Sequence, residues 1–218
     1  MKILLWLFIL GLLACSKLNY TPAKSPKAFI DPRDGQKYGY VEINNRYWMT
    51  ENMRYNVEGS KLNPDNPSPL FGRLYNWDQA MKACPEGWWL STNIDWLSLE
   101  DVFIHNIDTL ITRRKTRGNN VKILKSKKYW NPAGTDSLKI NILPAGNFVF
   151  ERFSKLGKIA GFWTSESDIR GGELGRKFAY YRIITNDRVG IYYDIQDKNL
   201  YYSCRCVKDI ENNPYLDA

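Results

Sequence analysis

Three cysteines constrain the fold of this chain more than any other residues, because the sequence opens on an export signal. Lys2 is followed by an unbroken apolar run from Ile3 to Leu10, then Gly11 and Leu12-Leu13-Ala14-Cys15. A positive start, a short apolar core and a small residue before the cut describe a secretory signal, and the run is too short to span a bilayer. In an oxidising compartment thiols become covalent constraints. With segment 1–14 removed and Cys15 set aside, Cys84, Cys204 and Cys206 remain. Three is an odd number, so one stays unpaired or pairs with another chain. Cys204 and Cys206 stand two apart in a strand-like stretch, Leu200 to Val207, so their side chains share a face and do not readily bridge each other. Cys84 is then expected to pair with one of them. Closing a loop of about 120 residues contributes on the order of 5 kcal/mol in the chain-entropy model.

Leu12-Leu13-Ala14-Cys15 also resembles the bacterial lipobox, in which the cysteine thiol receives a diacylglycerol and becomes the acylated first residue of a lipoprotein. Cys15 is the expected lipidation site, and several acyl chains on one residue make a firm membrane anchor. Residues 15–28 then read as the lipidated cysteine and a flexible tether, polar and proline-containing, reaching up to about 45 Å if extended. Lipoproteins sent to the cell exterior in Bacteroidetes-like bacteria often carry acidic residues soon after the cysteine, and Ser16 to Tyr20 has none. The expected location is the outer membrane, on its periplasmic face.

The remaining length suits one domain, expected over 29–209, with a short tail over 210–218. There is no internal repeat. With 14 Tyr, 9 Phe and 8 Trp, aromatics outnumber what a helical bundle needs and favour short strands and many turns. The formal net charge is +8, and Arg113 to Lys128 holds eight basic residues and no acid. Such a run attracts polyanions if it forms one patch. The export signal and the lack of a base-reading motif argue against nucleic acid and for anionic envelope polymers such as lipopolysaccharide or acidic glycans. A solvated loop is the plainer reading of the same run.

Asp31 to Gly35 is a turn cluster. Lys37 to Ile43 and Arg46 to Thr50 flank Asn44-Asn45, as in a two-residue hairpin. Glu58 to Pro69 is polar, proline-rich and loop-like. Trp77 to Cys84 reads as a short helix stopped by Pro85-Glu86-Gly87. Thr92 followed by Asp95 resembles a capping box for a second helix with an apolar stripe of Trp96, Leu99, Val102, Phe103 and Ile107, expected to run to His105 or Ile107. The carboxyl half reads as antiparallel strands at Ile140–Ala145, Asn147–Phe150, Gly161–Ser165, Lys177–Thr185, Arg188–Asp194 and Leu200–Val207, with Asn186-Asp187 as a second hairpin turn.

The ordered series DPRDGQKYGYVEINNRYWMTENMRYN (31–56), GRLYNWDQAMKACPEGWWLSTNIDWLSL (72–99), VKILKSKKYW (121–130), LPAGN (143–147), FWTSE (162–166) and CRCVKD (204–209) resembles the Fibrobacter succinogenes major paralogous domain across nearly all of the exported chain. The resemblance implies an α+β, C-type-lectin-like fold: two helices packed on short antiparallel sheets, with one disulfide tying the first helix to the last strand. It places that disulfide at Cys84 and Cys206, leaving Cys204 as the extra thiol. Trp89, Ser91 and Asp95 depart from the family's usual His, Pro and Glu, although Asp95 can still cap. Such a fold carries many functions, so the resemblance constrains activity much less than architecture.

For catalysis the sequence offers little. The single histidine, His105, falls near a helix end; no His or Cys pair has zinc spacing, no acidic loop suits calcium, and the acid-proline-Asn signature of calcium lectins is missing. Neither a catalytic residue nor a metal or cofactor site is expected. Cys204 and Cys206 bear on a thiol-dependent oxidase, as in the related formylglycine-generating oxidases, but their spacing differs and reactivity requires an exposed thiolate. Trp48, Trp77, Trp88, Trp96 and Trp163 are assigned to packing. The expected ligand contacts are Asn147, Glu166, Asp168 and Arg182, with Trp130 or Tyr181 as a stacking platform, since sugars need flat apolar rings and directed hydrogen bonds. The reading that results is a non-catalytic, lipid-anchored envelope protein that binds a glycan, an anionic polymer or a surface protein; an oxidase, a carboxylate-based glycan hydrolase and a purely structural component are the alternatives.

Overall fold

The computed structural model describes residues 26–65, 69–104 and 115–210. The signal segment, Cys15, the tether as far as residue 25, His105, Ile107, Arg113, Arg114 and tail residues 211–218 lie outside the described residues. The chain is a mixed α/β protein built mostly from antiparallel sheets. In order it forms β1 (Lys27–Ile30), β2 (Lys37–Ile43), β3 (Arg46–Met49), α1 (Trp77–Ala83), β4 (Trp89–Leu90), α2 (Asn93–Asp101), β5 (Lys115–Arg117), β6 (Asn147–Val149), β7 (Arg152–Ser154), β8 (Ile159–Ser167), α3 (Gly172–Gly175), β9 (Phe178–Thr185), β10 (Ile191–Asp197) and β11 (Cys206–Asp209). Among the described residues no helix is long and apolar enough to cross a membrane.

One sheet has the order β1-β2-β3-β11-β4, so the last strand pairs between the first hairpin and the middle of the chain. The hairpin turn has Asn44 at φ 45° and Asn45 at φ 57°, the left-handed pair that a two-residue turn requires and that asparagine tolerates. Lys27 and Ala28, assigned to the tether above, pair with Tyr40 and Gly39 in β1. The second sheet is β5-β10-β9-β8, and β6 with β7 forms a separate hairpin.

Both main helices start where their side chains satisfy free backbone donors. Asn76 and Gln79 form a capping box on α1, and Thr92 and Asp95 form one on α2. The first helix stops before Pro85 as expected. The second is shorter than the apolar stripe suggested: it ends at Asp101, where Phe103 and Ile104 both donate to the Glu100 carbonyl and the regular ladder stops.

Three strand expectations need correction. Ile140–Ala145 is irregular, since Asn141 sits at φ 51° with its N–H donated to Asp136 Oδ1. The β9–β10 connection is longer than Asn186-Asp187, with Tyr192 opposite Ile183, because Thr185 Oγ1 takes the Arg188 N–H and rounds the turn outward. In Leu200–Val207 only the end is strand; Tyr201, Tyr202 and Ser203 each bridge a different segment, at Phe148, Tyr75 and Phe162.

The interior has two apolar clusters. One joins Trp48, Trp96, Phe162, Ile184 and Val207 between the sheets and α2, and the other gathers Tyr38, Met49, Met53, Tyr75, Trp163, Tyr181, Tyr202 and the cysteines around α1. Of the five tryptophans assigned to packing, Trp48, Trp96 and Trp163 are fully buried, whereas Trp77 and Trp88 are partly buried. The Cys84–Cys206 disulfide, with Cα atoms 5.8 Å apart, ties the end of α1 to β11.

Burial raises the hydroxyls of Tyr38 and Tyr181 from 10.0 to about 12. A proton held more tightly in the folded state stabilises the fold fully below pH 10, and that contribution is lost as the pH rises through about 12. An alkaline titration should therefore show a late set of tyrosine ionisations at 295 nm coinciding with loss of near-ultraviolet circular dichroism. Complete ionisation near pH 10 with the dichroism intact would contradict this assignment.

Candidate functional site

Most residues expected to contact ligand lie inside the protein. Trp130 is 5% exposed and donates its indole N–H to the Ile142 carbonyl at 2.7 Å, so it offers no stacking face to a ligand. Tyr181 is buried against Trp163 and Tyr202. Arg182 is 1% exposed, its Nε donating to Glu100 Oε1 at 3.0 Å and its Nη1 to Asn93 Oδ1 at 2.9 Å. Asn147 is buried and accepts from the Ser154 hydroxyl at 2.6 Å. Asp168 is buried and accepts from Arg170 and Tyr180. Glu166 is only partly buried, and its carboxylate takes the Asn93 N–H at the start of α2 at 2.8 Å. For Tyr181 and Arg182 the cause is topological: β9 lies between β10 and β8, and both of its faces carry buried side chains. Alternation along this strand therefore does not select a solvent face.

Arg182, Glu100, Arg117, Asn93 and Glu166 form an internal polar network. Glu100, fully buried, receives Arg182 on one oxygen and Arg117 at 3.4 Å on the other, and the Arg182 guanidinium lies 4.1 Å from the centre of the Tyr193 ring. Burial pushes the Arg182 guanidinium down from its ordinary range, against the opposing attraction of Glu100. Arg117 belongs to the basic run, and so does Lys125, which is buried 4.9 Å from the Trp130 ring centre. Part of that run is thus structural, and it does not make a single exposed patch.

The thiols are equally enclosed. Cys204 Sγ is 3.7 Å from Cys84 Sγ and 3.8 Å from Cys206 Sγ. Being nearly equidistant, it faces the disulfide side-on, whereas exchange needs a thiolate approaching along the S–S axis. Burial also drives the Cys204 thiol far above its usual range, keeping it protonated. The three sulfurs lie within metal-binding distance of one another, but two are bonded together and have no thiolate to offer.

Two surface concavities are lined by described residues. The larger, about 430 Å³, is lined by Lys27, Lys37, Glu51, Asp136 and Lys139 among others. Glu51 is committed to the Gly39 N–H and the Thr50 hydroxyl, while burial raises the Asp136 carboxyl. The smaller, about 270 Å³, is lined by Asn63, Asp65, Phe153, Ser154, Lys155, Leu156 and Lys158. Asn63 is 4% exposed. Its Oδ1 accepts the Asp65 N–H at 3.0 Å, which identifies the other amide atom as the nitrogen, and that Nδ2 has no hydrogen-bond partner among the described residues. A buried donor left unpaired costs free energy and calls for an explanation.

The matching segment in the comparison with known families runs from β2 to β11: the model of the Fibrobacter succinogenes major domain matches residues 41–208. The chain belongs to that family. No curated protein and no solved structure matches it. In this Fibrobacter succinogenes major domain, the matched residues hold α1, α2 and α3, the disulfide and every residue of the smaller cavity, whereas β1 and the start of β2 precede the match. The cavity residues were not legible as a site in the sequence. Asn63 and Asp65 fall within the proline-rich loop of 58–69, Lys155 to Lys158 lies between the expected strands, and only folding brings the two segments together.

Proposed function

We propose that this protein is a lipid-anchored envelope component whose C-type-lectin-like domain binds a glycan, without catalysis, at the cavity between Asn63 and the Lys155–Lys158 turn. The observation that carries the reading is a concave, polar site lined by Asn63, whose buried Nδ2 has no hydrogen-bond partner among the described residues. When the Asn63 amide turns toward the cavity, a ligand hydroxyl or ring oxygen supplies the acceptor this buried donor lacks, and Phe153 lines the same cavity with an apolar ring. The anchor and the periplasmic face of the outer membrane rest on Leu-Leu-Ala-Cys15 and the acid-free segment that follows.

A screen of the purified full chain against bacterial, host and plant polysaccharides, with and without calcium, tests this by pull-down and thermal shift. A selective hit should weaken roughly tenfold or more in Asn63→Ala, the usual scale for one directed hydrogen bond in a buried site. A ligand held equally well by wild type and variant, or no ligand at all, would remove the cavity from consideration.

Glu51 and Asp136 in the larger cavity support a second reading, carboxylate-based glycan hydrolysis, since a carboxyl raised by burial suits a general acid. Turnover abolished by Asp136→Asn would favour it over binding alone.

A further inference from the structure

Resting on the binding reading, we infer that the ligand of the Asn63 cavity is a saccharide bearing a carboxylate, a sugar acid of the uronate class. The cavity distributes its chemistry asymmetrically. On one side Lys155 and Lys158 occupy the ends of a tight turn closed by the Lys158 N–H donating to the Lys155 carbonyl at 2.9 Å, so two lysines line the same cavity from one turn. On the other side stand the Asn63 amide, a donor, and the Asp65 carboxylate, an acceptor. A sugar acid complements this order: its carboxylate faces the lysines, its hydroxyls donate to Asp65 and accept from Asn63, and its apolar face meets Phe153. The reversed orientation sets two carboxylates against each other at Asp65, so the charges also select one direction of binding.

The lysine rim is held rigidly. The Gly157 N–H donates to the Pro144 carbonyl and the Asn186 N–H to the Lys158 carbonyl, each at 2.9 Å. Gly146 packs so closely that a Cβ there would lie 2.4 Å from the Ser154 carbonyl oxygen. Lys155 itself sits at φ 62°, a conformation that glycine adopts without cost and lysine does not. Retaining a charged side chain at such a position fits a role for the charge, and a pre-organised rim loses little entropy on binding. At about 270 Å³ the cavity falls just below the roughly 300–1,000 Å³ of pockets for drug-sized ligands, which suits one sugar ring of a longer chain.

The test is calorimetric titration of the purified full chain in detergent with oligosaccharides of galacturonate, glucuronate and mannuronate, each compared with its methyl ester. At least one acid should bind roughly tenfold more tightly than its ester at low salt, the scale for two partly exposed ion pairs, and the preference should shrink as salt rises. The double variant Lys155→Gln/Lys158→Gln should lose the preference while keeping the melting temperature, since both side chains are exposed. Equal binding of acid and ester, a preference that survives the double variant, or binding of neutral sugars alone overturns the inference and leaves the binding reading standing. If no saccharide, acidic or neutral, binds at all, the binding reading itself fails.

Discussion

Cys84→Ala should lower the stability of the fold by on the order of 5 kcal/mol and the melting temperature by roughly 10–20 °C. The Cys84–Cys206 bond closes a loop with a sequence separation of 122 residues, and its loss frees the unfolded chain to explore conformations the crosslink forbids. It also unties the end of α1 from β11, the strand on which β3 and β4 both pair. Reduction of the wild-type protein should reproduce the effect. Cys204→Ala should cost much less, about 1–2 kcal/mol, because it removes one small buried side chain and no crosslink. Urea unfolding of the three forms checks the order. An unfolding midpoint of Cys84→Ala equal to wild type would show that the bridge adds nothing to the fold, and a Cys204 that alkylates readily without denaturant would contradict its complete burial.

The second large effect belongs to Glu100. Glu100→Gln should cost about 3–5 kcal/mol, because it leaves the buried Arg182 guanidinium without its opposing charge. The glutamine keeps the shape and one acceptor, so the loss reports on charge and not on a cavity. Arg182→Met should be similarly costly alone, while Glu100→Leu with Arg182→Met should recover part of the loss, since the apolar pair requires no desolvation of ions but Arg117 still loses its contact with Glu100. A double-mutant cycle by urea denaturation measures this coupling. Purely additive losses would mean that the two charges do not depend on each other. The result also separates stability from binding: the network lies away from the residues of the Asn63 cavity, so these variants should retain whatever ligand affinity the folded fraction has.

The contrast between Glu100 and Asn63 shows why the site was hard to read. Arg182, Asn147 and Asp168 attract attention in the sequence as polar residues among aromatics, and the fold uses all three internally. A polar residue in a strand faces water when one side of the sheet is open, but β9 is flanked by β8 and β10 and its side chains are covered on both faces. Asn63 sits in a segment that carries no periodic signal. Its proposed role rests on one atom without a partner among the described residues, and hydrogen-bond satisfaction is a property of the surroundings.

Local chemistry was legible wherever a few neighbouring residues suffice. Thr92 and Asp95 cap α2, Pro85 stops α1, and Asn44-Asn45 turns the first hairpin, because each depends on backbone geometry and short-range hydrogen bonds. The ordered motifs likewise identified the family, and its resemblance the Cys84–Cys206 pairing that the spacing of the cysteines had left open. The tertiary structure alone decided that β11 enters the sheet between β3 and β4, that Trp130 and Arg182 turn inward, and that Asn63 meets the Lys155–Lys158 turn across a cavity. Those outcomes depend on contacts between residues distant in the chain, whose burial and pairing are set by the packing of whole elements and not by the residues beside them.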